Sequence, residues 1–297
     1  MKLKKLPLLV AAAAVAFSAT AVADDFVLTA GKWGKKQDKA VEAAGGVVNW
    51  SHKHAGIASV SSDNPDFLAL VSGDRSFSSA AEDMVVQWTD KEFTELEVTP
   101  GDESYYGLQW SLEAIEAEAA WEAGCTGDGA RVAVIDGGIY DDHPDLAPNL
   151  DASCSASFFS GQPWNYDTGT FWHGTHVAGI VAAADNGMGV IGVAPEATIL
   201  GVKALHDGSG PFGAIIGAIL YSSDPAAFGA VDCEPADIIN MSLGATFNKR
   251  LPGGGQLVGA MARAVNFAAS KGVLVLSSAG NNGLDLGQAQ DITAVPA

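Results

Sequence analysis

The stretch of residues 172–183 carries the densest chemistry of the sequence, because His173 and His176 stand at the start of a segment of small and apolar residues. Gly174 and Gly179 in this segment are expected to allow close backbone approach. Ala178 and Ala182 recur at helical spacing and predict a buried helix. A histidine that opens such a helix has a fixed position, and its ordinary pKa of about 6.5 suits a general base. The pair could also hold a metal, but zinc is disfavoured because no Glu follows the first His as in the H-E-x-x-H pattern.

Polar residues follow three further apolar runs. Asp136 ends the β-branched run 131–136, Ser242 follows the run 236–241, and Asn281 lies just beyond the run 272–278. The carboxyl ends of parallel strands meet at one edge of an open sheet, so these side chains and His173 are expected to converge there. Taken alone, Asp136 could equally be a turn residue.

The N-terminus has the pattern of an export signal. Three lysines precede an apolar run over residues 8–17, and Ala21 and Ala23 form an A-x-A cleavage site. Residues 1–23 are therefore predicted to be a signal peptide. The apolar run is too short to span a membrane. The mature chain is expected to be secreted, to the periplasm or the extracellular space.

The composition of the chain limits the classes of partner it can have. The chain has 297 residues, a formal net charge of −19 and 48% hydrophobic residues, which is enough for a large core and more than one domain. Such an acidic protein repels nucleic acid and anionic membranes, so neither is expected as a partner.

The cysteines of the chain are Cys125, Cys154 and Cys233. An odd number in an oxidising compartment implies one free thiol, an intermolecular bond or a partner outside this chain. One disulfide is expected among the three, with the pairing left open.

The chain divides at a polar, turn-rich linker over residues 99–104. Before the linker, a small α+β unit is predicted over residues 24–104, with strands at 26–28, 47–50, 57–60 and 84–88 and helices at 36–44 and 66–71. After it, strands and helices alternate, which is typical of an α/β fold with a parallel sheet. The helices expected there cover residues 112–123, 215–221 and 256–271.

Five motifs then follow in order: Val-Ile-Asp-Gly-Gly with His-Pro-Asp-Leu, His-Gly-Thr-His-Val-Ala-Gly, Gly-Val-Ala-Pro, Asn-Met-Ser-Leu-Gly and Ser-Ala-Gly-Asn-Asn-Gly. In this order and spacing they resemble the subtilisin-like serine proteases, or subtilases. The resemblance covers residues 105–297 and implies a three-layer α/β fold with a mostly parallel central sheet, the C-terminal part of which is missing. It also implies that residues 24–104 are a small α+β propeptide domain.

The same resemblance implies the roles of the site residues. Asp136 would orient the imidazole, His173 would act as general base and then acid, and Asn281 would donate its amide to the oxyanion. Residues Ser242, Leu243 and Gly244 would pair with the backbone of a polypeptide substrate, with Ser209 opposite. The propeptide would act as intramolecular inhibitor and chaperone of a zymogen.

A structural calcium ion is also implied by the resemblance, in the loop over residues 184–190. Asn186 and Asp145 would supply side-chain oxygens, and backbone carbonyls would complete the ligand set. An ordinary turn is the alternative for both residues.

Two departures from the family stand out. Gly137 replaces the usual Thr or Ser after the aspartate, so a hydroxyl that could help to hold Asp136 is lost, with a modest effect on rate expected. The nucleophile's Gly-Thr-Ser stretch is absent from the sequence. Loss of that serine costs about 2 × 10⁶ in kcat in subtilisin, so we expect the chain to be an inactive fragment of a serine endopeptidase. A non-catalytic truncated relative, acting as a peptide-binding or inhibitory module, is the alternative.

Overall fold

The computed structural model describes residues 23–89, 105–168, 172–248, 250–281 and 292–295. The predicted linker and nearly all of the predicted signal peptide lie outside these residues. Among the described residues, no helix is both long and apolar enough to cross a membrane.

The described part of the N-terminal region, residues 23–89, contains five strands and two helices. They are β1 (Asp24–Thr29), α1 (Lys35–Ala43), β2 (Gly46–His52), β3 (Ile57–Ser62), α2 (Phe67–Gly73), β4 (Ser79–Glu82) and β5 (Val85–Gln87). The first four strands form an antiparallel sheet in the order β2-β3-β1-β4. The predicted α+β pattern is confirmed here, while β4 was not predicted.

Strand β1 serves two cores because its side chains alternate between the faces of the sheet. Phe26 and Leu28 pack with Val41 of α1 and Phe67 of α2. Val27, on the opposite face, belongs to the core of the following region. The N-terminal sheet therefore lies between its own two helices and the rest of the molecule.

The second region begins at residue 105 and contains most of the chain. Its elements are α3 (Trp110–Ala114), α4 (Ala117–Glu122), β6 (Arg131–Asp136), β7 (Ala156–Ser157), α5 (His173–Ala182), β8 (Thr198–Lys203), β9 (Ser209–Pro211), α6 (Phe212–Ser223), β10 (Ile238–Met241), β11 (Ala245–Asn248), α7 (Gly254–Ser270), β12 (Leu274–Ser277) and β13 (Ile292–Val295).

A five-stranded parallel sheet in the order β12-β10-β6-β8-β7 forms the centre of this region. Val132 and Val134 of β6 pack against α5, whereas Ala133 and Ile135 face the core that contains α6 and α7. Helices thus cover both faces of the sheet, as predicted for a three-layer α/β fold.

Helix α6 is buried along its whole length, because the N-terminal sheet covers the side that the parallel sheet does not. Helix α7 buries Ala260, Ala264 and Ala268, as its spacing predicted. The two helices form a shared layer between the two sheets.

Two predictions about local structure were wrong. Residues 112–123 do not form one helix: Glu116 has a φ of 57°, a left-handed conformation, and separates α3 from α4. The break lets Leu112 and Ala117 both reach the interior, so packing overrides the strong helix propensity of Ala and Glu. In addition, Gly179 was expected to allow close backbone approach, but a Cβ there would meet nothing within 4 Å.

The cysteine pairing is resolved in the structure. Cys154, just before β7, forms a disulfide with Cys233, just before β10, with the two Cα atoms 5.6 Å apart. Cys125 is exposed and free. The expected disulfide is thus confirmed, and of the alternatives left open for the remaining cysteine the structure shows the free thiol.

Candidate active site

Asp136 and His173 form a hydrogen-bonded pair at the carboxyl edge of the parallel sheet. Asp136 is the last residue of β6 and His173 the first of α5. The Nδ1 atom of His173 lies 2.8 Å from Oδ2 of Asp136, whose side chain is only 1% exposed. The other carboxylate oxygen accepts the N–H of Gly137 at 2.6 Å. The carboxylate is therefore held at both oxygens.

Gly174 explains how the start of α5 comes so close to the end of β6. A Cβ at this position would overlap the carbonyl oxygen of Gly138 and lie 3.0 Å from Cβ of Asp136. Thr175 fastens the same contact, because its Oγ1 accepts the N–H of Tyr140 at 2.9 Å. The His-Gly-Thr motif thus brings the imidazole to the aspartate.

The surroundings of His173 favour its protonated form. Burial alone would lower the pKa of the imidazole, but the hydrogen bond to Asp136 and the negative charges of Asp136 and Asp167 outweigh it and raise the pKa. A stabilised imidazolium is what a general base needs after it accepts a proton.

Two buried charged residues beside this pair were missed by the sequence reasoning. Asp167 is 1% and Lys203 0% exposed, and the Lys203 ammonium donates to the carbonyl oxygen of Gly137. Burial lowers the pKa of Lys203 to about 8, against the opposing charges of Asp167 and Asp136. Lys203 could have been found from the sequence, because a lysine at the end of a buried strand is unusual. The sequence around Asp167 carries no comparable signal.

Residues 85–89 lie along the same edge of the sheet, between β9 and Gly244, and we call the space between β9 and Gly244 the channel. We call residues 85–89 the channel segment. Its strand β5 pairs antiparallel with β9, with Gln87 opposite Ser209. On one side the N–H of Trp88 donates to the carbonyl of Gly208 at 2.8 Å; on the other the N–H of Gly244 donates to the carbonyl of Trp88 at 2.9 Å. Ser209 and Gly244, two of the four predicted substrate-pairing residues, therefore pair with a segment of this same chain.

The Trp88 side chain anchors the channel segment. It is 2% exposed, its ring centroid lies 4.9 Å from that of Phe212, and its Nε1 donates to the carbonyl of Gly210 at 2.7 Å. Leu243 is buried in the same apolar cluster. Burial of an aromatic ring with its N–H satisfied is a strong contact.

Asn281 and Ser242 lie on the edge that holds Asp136. Strands β12, β10 and β6 are parallel neighbours, so the residues after them share one end of the sheet. Asn281 is exposed at a bend beyond β12. The Oγ of Ser242 accepts the Nδ2 amide of Asn240 at 3.0 Å, and Ser278 donates to the carbonyl of Leu243 at 3.0 Å. These hydrogen bonds hold residues 242–243, which directly precede Gly244, in place.

The predicted calcium loop lies directly against Asp145. This buried carboxylate accepts the N–H of Val190 at 3.1 Å, and a Cβ at Gly189 would overlap it. Asn186 accepts the N–H of Met188 at 3.2 Å and donates to the carbonyl of Pro144 at 3.2 Å. Among the described residues, no group of three or more His, Cys, Asp or Glu could hold a metal. A cation here would need backbone carbonyls besides the two side chains, an all-oxygen set that fits calcium.

Comparison with known proteins agrees with this fold. The chain is 39% identical over 176 residues to the minor extracellular protease Epr of Bacillus subtilis, covering 59% of this chain and 23% of that protein. It is 34% identical over 187 residues to thermitase of Thermoactinomyces vulgaris, covering 62% of this chain and 59% of that protein. The chain thus spans well under two thirds of the length of either relative.

Solved structures extend the likeness to the N-terminal region. The epidermin leader peptide processing serine protease EpiP from Staphylococcus aureus matches 93% of this chain and 67% of its own, with a TM-score of 0.72 and 18% identity. Fervidolysin from Fervidobacterium pennivorans matches 88% of this chain and 40% of its own, with a TM-score of 0.63 and 22% identity. Residues 127–297 match the subtilase family, and the chain belongs to that family of serine proteases.

Proposed function

We propose that this chain is part of a secreted serine endopeptidase that cleaves polypeptides with an Asp-His-Ser triad, of which Asp136 and His173 are two members. The observation that carries the proposal is the 2.8 Å bond between His173 Nδ1 and the buried Asp136 carboxylate. With Nδ1 engaged, Nε2 is the nitrogen that would take the serine proton and return it to the leaving amine. Asn281, on the same edge, would donate its amide to the oxyanion.

The enzyme would be made as a zymogen, with residues 24–104 as its inhibitory propeptide. The support is the channel segment, which bonds to Gly208 on one side and Gly244 on the other and buries Trp88. A substrate that added a strand at this edge would compete for the same backbone groups. The packing of the N-terminal sheet on α6 and α7 supports a chaperone role, because it covers apolar helix surface that would otherwise face water.

Secretion follows from the predicted signal peptide over residues 1–23. The disulfide between Cys154 and Cys233 supports it, because such bonds persist in oxidising compartments. The name of the Bacillus subtilis relative describes an extracellular protease.

Asp145 and Asn186 would hold a structural calcium ion together with carbonyls of the loop over residues 184–190. Its role would be to fix this loop against the segment that follows β6. Calcium should therefore raise the Tm of the chain and a chelator should lower it, whereas Asp145→Asn should abolish both responses. An unchanged Tm with either addition would contradict this assignment.

A second candidate is a peptide-binding module without catalysis, favoured by how fully the channel segment is held. Hydrolysis separates the two. We would express the complete reading frame of the gene and assay casein cleavage with and without His173→Ala, using His176→Ala, an exposed histidine of the same helix, as matched control. We expect His173→Ala to lower kcat by about 10⁶ and His176→Ala to leave it unchanged. Peptide binding without cleavage in the unaltered protein would favour the module.

A further inference from the structure

Gly137 follows the candidate triad aspartate, and the structure shows what occupies the space beside it. A Cβ at Gly137 would overlap Oδ2 of Asp167. The carboxylate of Asp167 therefore stands where the side chain of a Ser or Thr at this position would begin. The two arrangements exclude each other sterically.

Asp167 has little freedom to move aside. Its Oδ1 accepts the N–H of Thr168 at 2.8 Å and that of Asp207 at 2.9 Å. The same oxygen lies 3.3 Å from Nδ1 of His206 and 4.0 Å from the Lys203 ammonium. A 1% exposed carboxylate with these partners is a fixed part of the site.

Lys203 connects this carboxylate to the turn that carries Asp136. Its ammonium donates to the Gly137 carbonyl, and in the sheet it lies opposite Asp136 in the β6–β8 register. The next residue, Ala204, donates its N–H to the Asp136 carbonyl at 2.9 Å. The turn at residues 136–137 is thus bonded to strand β8 on one side, and the Asp167 carboxylate lies against Gly137 on the other.

We propose that Asp167 and Lys203 are positioning residues of the Asp136–His173 pair, which replace the missing hydroxyl at residue 137 by fixing the turn over residues 136–137. The inference deepens the proposed function, since it concerns the same site. Asp167 also adds a second negative charge near His173, which favours the imidazolium. Both residues act through Asp136 and His173, and neither is assigned contact with substrate.

The first test is an NMR titration of His173 in chain 24–297, with the signal assigned by its loss in His173→Gln. Removing the charge in the isosteric Asp167→Asn variant should lower the pKa of His173, because Asp167 favours the protonated ring. The matched control is Asp128→Asn, which removes one negative charge from an exposed carboxylate and so changes the net charge by the same amount. A His173 shift no larger than that of the control would overturn the proposal.

The second test asks whether residue 137 and Asp167 compete for one space. Gly137→Ser should lower the Tm by several degrees in the wild-type background, because the new side chain meets the Asp167 carboxylate. In the Asp167→Ala background the same change should cost much less. If Asp167→Ala does not fold, Asp167→Ser provides the background without the carboxylate in which the effect of Gly137→Ser on the Tm is measured. Additive effects on Tm would overturn the proposed replacement.

These tests are independent of hydrolysis, because the pKa of His173 and the Tm can both be measured without a nucleophilic serine. Failure to cleave casein would refute the proposed function and leave both results interpretable. Unchanged His173 titration together with additive Tm values would refute the role of Asp167 even in an active protease.

Discussion

The reactive pair and the channel beside it are built from different parts of the chain. Asp136, His173, Asp167 and Lys203 all come from the parallel-sheet region, and the contacts described above among them lie within that region. The channel is filled by residues 85–89 of the N-terminal region. Under the proposed function, the N-terminal region would control access to the site, whereas the parallel-sheet region would set the geometry of the pair.

Among the variants that separate the two regions, the largest effect is expected from a change in the Asp136–His173 pair. Asp136→Asn in the complete protein should lower kcat by about 10⁴, because an amide holds the wrong imidazole tautomer. KM should change little, since Asp136 is buried beneath His173 and away from the channel. Steady-state kinetics on a peptide substrate measure both constants. A KM increase with unchanged kcat would contradict the separation of the two regions.

Docking of the channel segment is expected to depend most on Trp88. Trp88→Ala should weaken docking of the channel segment by about 3–5 kcal/mol, because a buried ring and its hydrogen bond to Gly210 are both lost. Urea unfolding and protease sensitivity of the segment measure the effect. Trp110→Ala is the matched control, since Trp110 is 78% exposed. The His173 titration should be unchanged in Trp88→Ala, and a clear shift would mean that the two regions are coupled.

The disulfide is expected to stabilise the parallel-sheet region. Replacing Cys154 and Cys233 by Ser should cost about 2–4 kcal/mol, since the bond restrains the unfolded chain. Cys125→Ser, which removes the exposed free thiol, should have no measurable effect. Denaturant unfolding compares the variants, and equal midpoints for both would contradict this expectation.

A smaller, pH-dependent effect is expected where the N-terminal region meets α6. Asp83 accepts the N–H of Gly213 at 2.9 Å, and burial raises the pKa of Asp83 to about 7, with the charge of Asp25 in the same direction. Because the folded pKa lies above the unfolded value, this contribution to stability is complete below about pH 4 and is lost as the pH rises through about 7. The Tm difference between wild type and Asp83→Asn should therefore change across this range, and a constant difference would refute the effect.

The sequence predicted most strands, because continuous β-branched runs such as 131–136 identify buried parallel strands. It also predicted the convergence of Asp136 and His173, since parallel strands share one functional edge. It could not predict β9, because the pairing of Ser209 with Gln87 joins residues that only the tertiary fold brings together. Asp167 was missed for the same reason, although the unusual Gly137 marked the place that its carboxylate fills.

The most direct test of the central claim is labelling of the complete gene product with a serine-directed phosphonylating probe, followed by mass spectrometry. We expect one modified serine, within a Gly-Thr-Ser stretch, and loss of labelling in His173→Ala. A complete reading frame without that serine, or equal labelling in His173→Ala, would contradict an Asp-His-Ser protease built on Asp136 and His173.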